Sequence, residues 1–202
     1  TKNACRPLNI IYNYKNNGIY ISNEHYQTFN ELSAEVTVMS TKGEELYKKV
    51  LPVDITENKS KKILDLPDFN TPDGMYFLDL RLVDTENNDE AGNFYWLSNQ
   101  EDVLDYENSE WFLTKNSSYA DLTGINYLEE VELEASHTIS EKGNKVFVSV
   151  ELENPTSKPA FFIQLNLKNP ETGLSVLPVF WEDNYISLLP GEKRTVTGYV
   201  FK

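Results

Sequence analysis

Apolar and polar residues alternate one by one along several stretches of this chain. In the first half, apolar side chains occupy every second position at Leu32, Ala34, Val36 and Val38. In the second half the same alternation runs through residues 146–152. Because successive side chains of a β-strand point to opposite faces, this period predicts strands that bury one face in a core.

Helical periodicity is missing from the sequence. No window of useful length places apolar residues at the i, i+3, i+4, i+7 spacing of an amphipathic helix. A (β/α)₈ barrel or a doubly wound parallel sheet needs a helix after nearly every strand. The sequence therefore excludes these enzyme folds and predicts an all-β chain.

Turn-forming segments at residues 15–18, 41–44 and 71–74 separate the predicted strands of the first half. Short strands with frequent turns are typical of an immunoglobulin-like sandwich. We predict strands near residues 7–14, 18–23, 32–40, 45–55, 61–66, 75–84 and 93–98.

The second half repeats the strand pattern, including an alternation over residues 161–167 and a new strand from Val176 to Phe180. We therefore predict two immunoglobulin-like β-sandwich domains in tandem, at residues 1–98 and 124–202. The segment 99–123 between them is acidic but contains tryptophan, phenylalanine and tyrosine. A freely flexible linker would be poorer in aromatic residues, so we expect this one to pack against a sandwich.

The composition excludes several classes of partner. The chain has 202 residues and a formal net charge of −14, which disfavours nucleic acid and anionic membranes because both are bound through lysine and arginine. No apolar run approaches the roughly 20 residues that span a bilayer, so no membrane insertion is expected. The single cysteine, Cys5, excludes an internal disulfide framework.

Catalytic and metal-binding motifs are absent from the sequence. The two histidines, His25 and His137, are isolated from any metal-ligand spacing, so we expect neither a metal nor a cofactor. There is no Gly-x-Ser-x-Gly motif and no glycine-rich phosphate loop. We therefore predict no catalytic residue in this chain.

Aromatic residues offer the strongest candidates for a binding role, because an aromatic face can stack on the apolar face of a sugar ring. We expect Trp96 and Trp111 to lie in a core or in the joint between the domains. Trp181 and Tyr185 flank an acidic, loop-like stretch ahead of the Pro190-Gly191 turn. For these two residues a core role and a binding role are equally open.

The chain resembles the C-terminal part of glycoside hydrolase family two. Four segments carry the resemblance in the family's order, namely NFYWLS at 93–98, DVLDY at 102–106, SSYADL at 117–122 and the run 180–192 with its DNYISLLPGE core. The branch it resembles contains exo-β-glucosaminidases, β-mannosidases and mannosylglycoprotein endo-β-mannosidases.

This resemblance implies a parent enzyme in which two immunoglobulin-like domains follow a (β/α)₈ barrel, with residues 5–7 entering the fourth domain. The catalytic glutamates of the family lie in the barrel, so the resemblance implies a non-catalytic region that supports the barrel of the same parent chain. It further implies a periplasmic or secreted location. The loop residues Trp181, Asp183, Asn184 and Tyr185 are then candidates for the active-site rim or for carbohydrate contact.

An alternative from a different class stays open on the sequence. The chain could act as a free-standing carbohydrate-binding or cell-surface adhesion module, with exposed aromatic side chains as the platform for a glycan. The two hypotheses differ in whether this chain alone binds a glycan.

Overall fold

The computed structural model describes residues 5–86 and 88–202 and divides them into two compact units. The first unit extends to Leu128 and the second comprises Glu129–Lys202. Residues 1–4 and 87, which belong to the predicted first domain, lie outside the described residues.

The first unit is built around seven antiparallel strands that follow the predicted ones closely. They are β1 (Leu8–Asn13), β2 (Gly18–Asn23), β3 (Phe29–Ser40), β4 (Glu45–Ile55), β5 (Lys59–Asp65), β6 (Met75–Val83) and β7 (Asp89–Ser98). One sheet has the order β1-β2-β5 and the other β4-β3-β6-β7. The alternating apolar residues of both sheets meet in one core, as the period of two predicts.

Strand β6 is buried on both of its faces. Tyr76 and Leu78 point into the core between the sheets, whereas Met75 and Phe77 point to the other side and are equally inaccessible. A 3₁₀ turn at Thr123–Tyr127 covers that outer side, where a Cβ added to Gly124 would lie 2.8 Å from the Met75 side chain. Residues after β7 therefore complete the first unit.

That covering segment also carries a short ribbon formed by β8 (Val103–Leu104) and β9 (Asn116–Ser118). The prediction of a buried position is wrong for Trp111, which is 94 % exposed and contacts Phe112 edge to face at 5.0 Å. The neighbouring residues in the sequence do not predict that the Trp111 side chain is exposed, because its exposure depends on how the β8-β9 ribbon folds.

The second unit is a smaller sandwich. Its strands are β10 (Glu134–Lys142), β11 (Lys145–Glu153), β12 (Ala160–Ile163), β13 (Phe180–Trp181), β14 (Ile186–Leu188) and β15 (Lys193–Phe201). One sheet has the order β10-β11-β15-β13, and β12 pairs with β14 in the facing layer. Its fully buried core is small and centres on Leu188 and Val196.

Two strands of the second unit are shorter than predicted. The alternation over 161–167 predicts one continuous strand, but β12 ends at Ile163 and shifts register between Ala160 and Ile163. Likewise only Phe180 and Trp181, not the whole of 176–180, form strand β13. Within β12, at the register shift, Phe162 has a φ of +60°, a left-handed conformation that interrupts the regular extended pairing.

Asn154 holds the loops of the second unit together from a fully buried position. Its Nδ2 donates to the carbonyl oxygens of Lys158 at 2.7 Å, Leu188 at 3.1 Å and Leu189 at 3.2 Å. Its Oδ1 accepts from the Thr156 hydroxyl at 2.8 Å. One buried amide therefore satisfies carbonyls of two chain segments that are distant in sequence.

Replacing this amide by an apolar side chain of similar size is expected to destabilise the second unit. Asn154→Leu leaves the buried carbonyls without donors and should lower the free energy of unfolding by about 2–4 kcal/mol. Urea unfolding in a background with Trp96 and Trp111 replaced by phenylalanine would report through Trp181 alone. The exposed Asn144→Leu is the control and should cost less than about 0.5 kcal/mol; equal losses for both variants would refute the role of Asn154.

Candidate functional site

The structure brings the four predicted site residues together in the second unit, between β13 and β14. Trp181 is partly buried and packs against the core there. It pairs with Gly198 of β15, and a Cβ on Gly198 would lie only 2.5 Å from the indole ring. The glycine therefore allows the ring to lie flat on the neighbouring strand, and Trp181 acts as a packing residue.

Asp183 and Asn184 are also engaged within the unit. The Asp183 carboxylate forms an ion pair with the Arg194 guanidinium. The Asn184 side chain imitates a strand partner for Leu165, because its Oδ1 accepts from the Leu165 amide at 2.7 Å and its Nδ2 donates to the Leu165 carbonyl at 3.0 Å. These contacts replace the strand pairing that the alternation over 161–167 predicts.

Tyr185 is the member of the predicted site that presents its side chain to solvent. Its φ of +57° turns it away from the core, and 49 % of the residue is exposed. Its hydroxyl accepts a hydrogen bond from Gln164 Nε2 at 3.1 Å, and its ring lies 5.0 Å from that of Phe162, which is 48 % exposed. Two non-glycine residues in the left-handed region thus form an exposed aromatic pair.

The second unit carries a further aromatic surface that the sequence analysis missed. On the outer face of its larger sheet, Phe147, Tyr199 and Phe180 lie side by side across three strands, with centroid distances of 5.8 Å and 5.1 Å to Tyr199. Phe201 completes this aromatic ladder, and Lys145 Nζ lies 3.8 Å from the Tyr199 ring centroid. The alternation along β15 could have revealed this surface. Gly198 is buried, so Tyr199 and Phe201, one position and three positions later, must point to the opposite face.

A cleft of about 570 Å³ opens in the first unit and is the second feature that the sequence analysis missed. Tyrosine rings line it. Tyr12 packs edge to face on Tyr14 at 4.9 Å and on Tyr95 at 5.8 Å, and the deeply buried Tyr76 lines the same space. The exposed carboxylates of Asp68 and Glu101 also line this tyrosine cleft.

Polar contacts hold the cleft in shape. The Tyr12 hydroxyl donates to Asn17 Oδ1 at 2.7 Å, and Asn17 Nδ2 donates to Asp68 Oδ1 at 3.1 Å. The Tyr12 amide donates to the Tyr95 hydroxyl at 3.2 Å. Burial, followed by the negative charges of Asp68 and Glu101, raises the pKa of Tyr76, so this phenol stays neutral across the physiological range.

The cleft also contains Trp96, one of the two tryptophans predicted to be buried. The residue is 39 % exposed, and Tyr95, Leu97 and Ser98 line the cleft beside it. The Ser98 hydroxyl accepts from the amides of Gln100 and Asp121, both at 3.0 Å, and so ties the chain after β7 to the cleft wall. A family-typical segment, 93–98, therefore forms part of the cleft.

Residues 5–86 and 88–202 contain neither a cluster of metal ligands nor a helix that could span a membrane. No cluster of three or more histidine, cysteine or acidic side chains there could hold a metal ion. Among the same residues no helix has the length and apolar character needed to cross a membrane.

Two family models match the chain in tandem. Residues 16–100 match the mannosidase Ig/CBM-like domain, and residues 111–201 match the exo-β-D-glucosaminidase Ig-fold domain. The chain thus belongs to glycoside hydrolase family two, as immunoglobulin-fold domains of its exo-β-D-glucosaminidase and mannosidase branch. The resemblance and the predicted pair of immunoglobulin-like sandwiches are both confirmed.

Relatives of these immunoglobulin-fold domains are named exo-β-D-glucosaminidases. The chain is 34 % identical over 193 residues to the one from Arthroderma benhamiae, covering 96 % of this chain and 22 % of the relative. It is 30 % identical to that of Streptomyces avermitilis, covering 97 % and 22 %. The crystal structure of the Amycolatopsis orientalis exo-chitosanase CsxA superposes with a TM-score of 0.90 at 27 % identity, covering 99 % of this chain and 24 % of that one.

The immunoglobulin-fold domains therefore span about a fifth of the length of the relatives that they match. Both described units are β-sandwiches, and neither contains the strand-helix repeats of a catalytic barrel. The matched region corresponds to the non-barrel part of the family two enzymes.

Crowding the tryptophan of the second immunoglobulin-fold domain tests its packing role. Gly198→Ala places a methyl group against the Trp181 ring, which must shift, at a cost of about 1–3 kcal/mol in unfolding free energy. With Trp96 and Trp111 replaced by phenylalanine, the emission of Trp181 should move to longer wavelength as the ring gains solvent. Thr195→Ala, on the exposed face of the same strand, is the control; an unchanged spectrum and stability for Gly198→Ala would show that Trp181 does not depend on this contact.

Proposed function

We propose that this chain is the non-catalytic C-terminal accessory region of an exo-acting, retaining β-glycosidase of the exo-β-glucosaminidase type, and that it supports the catalytic barrel of the same polypeptide. Two facts support this proposal. The chain matches immunoglobulin-fold domain models over most of its length, and its relatives are about five times longer and are named exo-β-D-glucosaminidases.

The aromatic ladder is the observation that carries the supporting role. Phe180 and Phe201 are 44 % and 52 % exposed on the outer face of a sheet whose inner face already forms the core. A contiguous exposed apolar patch of this kind marks a surface that another polypeptide covers. Burying the half of each phenylalanine that is still exposed would contribute roughly 0.7–1.5 kcal/mol. The catalytic barrel, which makes up part of the polypeptide beyond this chain in its relatives, is the partner that we assign to it.

The second unit also supplies a candidate for the active-site rim. Of the four predicted residues, Trp181, Asp183 and Asn184 are used to position the loop, and Tyr185 projects from it beside Phe162. An exposed aromatic pair held in a strained backbone conformation suits contact with a sugar ring. We therefore assign the contact with carbohydrate to Tyr185 and a positioning role to the other three.

The competing hypothesis of a free-standing carbohydrate-binding module is favoured by one observation, the tyrosine cleft of the first unit. Both hypotheses accommodate a glycan contact. The two hypotheses make different predictions for the aromatic ladder. Only the supporting role requires another domain of the same polypeptide to cover it.

A substitution in the aromatic ladder should reduce stability only in the longer polypeptide that contains the barrel. Phe201→Ser removes exposed apolar surface, so the 202-residue chain should keep its urea midpoint. In the longer polypeptide the same change removes an interface contact and should shorten the half-life of glycosidase activity on heating at least threefold. Leu174→Ser, at an exposed turn outside the ladder, is the matched control. Equal half-lives for the Phe201→Ser variant and the unaltered polypeptide would refute the supporting role of the ladder.

A change at the rim should act on catalysis without acting on stability. In the longer polypeptide, Tyr185→Ala should lower kcat/KM for a glucosaminide at least fivefold because it removes a sugar contact, with little change in Tm. Trp181→Ala should lower Tm first, since it opens the core. The isolated chain, tested with the same chromogenic β-glucosaminide, should give no turnover. An unchanged kcat/KM after Tyr185→Ala would refute the rim assignment.

A further inference from the structure

We propose that the tyrosine cleft of the first unit binds a cationic amino sugar, with the sugar ring against Tyr14 and the ammonium group at the carboxylates of Asp68 and Glu101. The ligand class is a β-linked glucosaminyl unit with a free amine. The residues that line the cleft support a cationic sugar as the ligand. The choice of a glucosaminide rests on the proposed function.

The cleft has the size and composition of a ligand site. Its volume of about 570 Å³ lies within the range of roughly 300–1,000 Å³ typical of small-molecule pockets. The exposed ring of Tyr14 is steadied by edge-to-face contact with Tyr12, whose own ring packs in turn on Tyr95. Rigid aromatic surfaces of this kind can stack on the apolar face of a pyranose without losing much side-chain entropy.

The polar groups of the cleft are positioned before any ligand arrives. The chain of hydrogen bonds from Tyr12 through Asn17 ends on Asp68 Oδ1 and fixes that carboxylate. Its second oxygen, Oδ2, accepts no hydrogen bond from the described residues and is available to a ligand. A preorganised carboxylate binds an ammonium group more strongly than a mobile one, because little further ordering is needed.

The Tyr76 hydroxyl supplies an unused polar group inside the cleft. Tyr76 is 7 % exposed and, within the described residues, its hydroxyl makes no hydrogen bond. Within the same residues no fully enclosed side-chain oxygen or nitrogen lacks a partner, so this hydroxyl must be reachable from the cleft that Tyr76 lines. A phenol at this depth can donate to, and accept from, the hydroxyl groups of a sugar.

The charge of the lining selects for a cation. Asp68, Glu101 and Asp102 all line the cleft, whereas no lysine or arginine among residues 5–86 and 88–202 does. Asp102 is used internally, because its Oδ1 accepts from the Ala120 amide at 2.9 Å and from Asn116 Nδ2 at 3.1 Å. Asp68 and Glu101 remain to face a ligand. The net charge of −14 adds long-range attraction for a cation.

Calorimetric titration of the 202-residue chain tests the proposal with a defined ligand. The probe is the trisaccharide of β-1,4-linked glucosamine, compared with its fully N-acetylated form and with cellotriose, which has the same linkage and no amine. We expect binding of the glucosamine trisaccharide and affinities at least tenfold weaker for the two uncharged sugars. Raising the salt concentration should weaken binding of the cationic sugar only.

Two variants and two matched controls locate the site. Tyr14→Ala and Glu101→Gln, each at an exposed position, should weaken binding of the glucosamine trisaccharide by about tenfold. Tyr26→Ala and Glu24→Gln remove an exposed ring and an exposed charge outside the cleft and should leave it unchanged.

Three results would overturn the proposal. They are the absence of binding, equal weakening by Glu101→Gln and Glu24→Gln, and equal affinity for cellotriose. The second would indicate diffuse attraction to the acidic surface, and the third a neutral-sugar platform. None of them bears on the aromatic ladder, so failure here and failure of the supporting role are separable.

Discussion

Each of the larger sheets of this protein has an apolar face that packs into a core, and the need to remove that face from water governs the rest of the structure. In the first unit the two sheets cover each other's inner faces, and the 3₁₀ turn that follows β7 packs against Met75 on the outer side. In the second unit the facing layer consists of two short strands and the buried core is small. The two units thus differ in how completely they cover their own sheets.

This difference explains why polar contacts matter more in the second unit. Asn154 and Asn184 supply hydrogen bonds where regular strand pairing stops. The Asp183–Arg194 ion pair fixes the loop between β13 and β14. It also explains the aromatic ladder, whose outer face has no cover within the unit. A family two enzyme has further domains that can provide such cover, which is why the ladder supports an accessory role in a longer polypeptide.

The two candidate carbohydrate contacts differ in physical character. Tyr185 and Phe162 form a small exposed pair on a strained loop, suited to a contact that becomes useful only when an active site lies beside it. The tyrosine cleft is concave, acidic and held by its own hydrogen bonds, so it can act without a neighbour.

Much of the fold could be predicted from the sequence, because alternation with a period of two is a local property, and each of the seven predicted strands of the first unit is present with its ends within about four residues of the prediction. The family could also be recognised from short segments such as 180–192, because a sequence motif is likewise a local property. Side-chain exposure could not be predicted, since it depends on which surface lies opposite. Trp181 became a core residue because Gly198 leaves room for it on the next strand, while Trp111 lies in water.

The sequence by itself determined the all-β class, the turns and the absence of catalytic and metal-binding motifs, all of which depend on neighbouring residues. Only the tertiary structure decided which aromatic residues are available for binding. Tyr12, Tyr14, Tyr76 and Tyr95 come from strands up to 83 positions apart. Their meeting at one acidic cleft follows from the order and register of the strands, which sheet packing selects and no local pattern encodes.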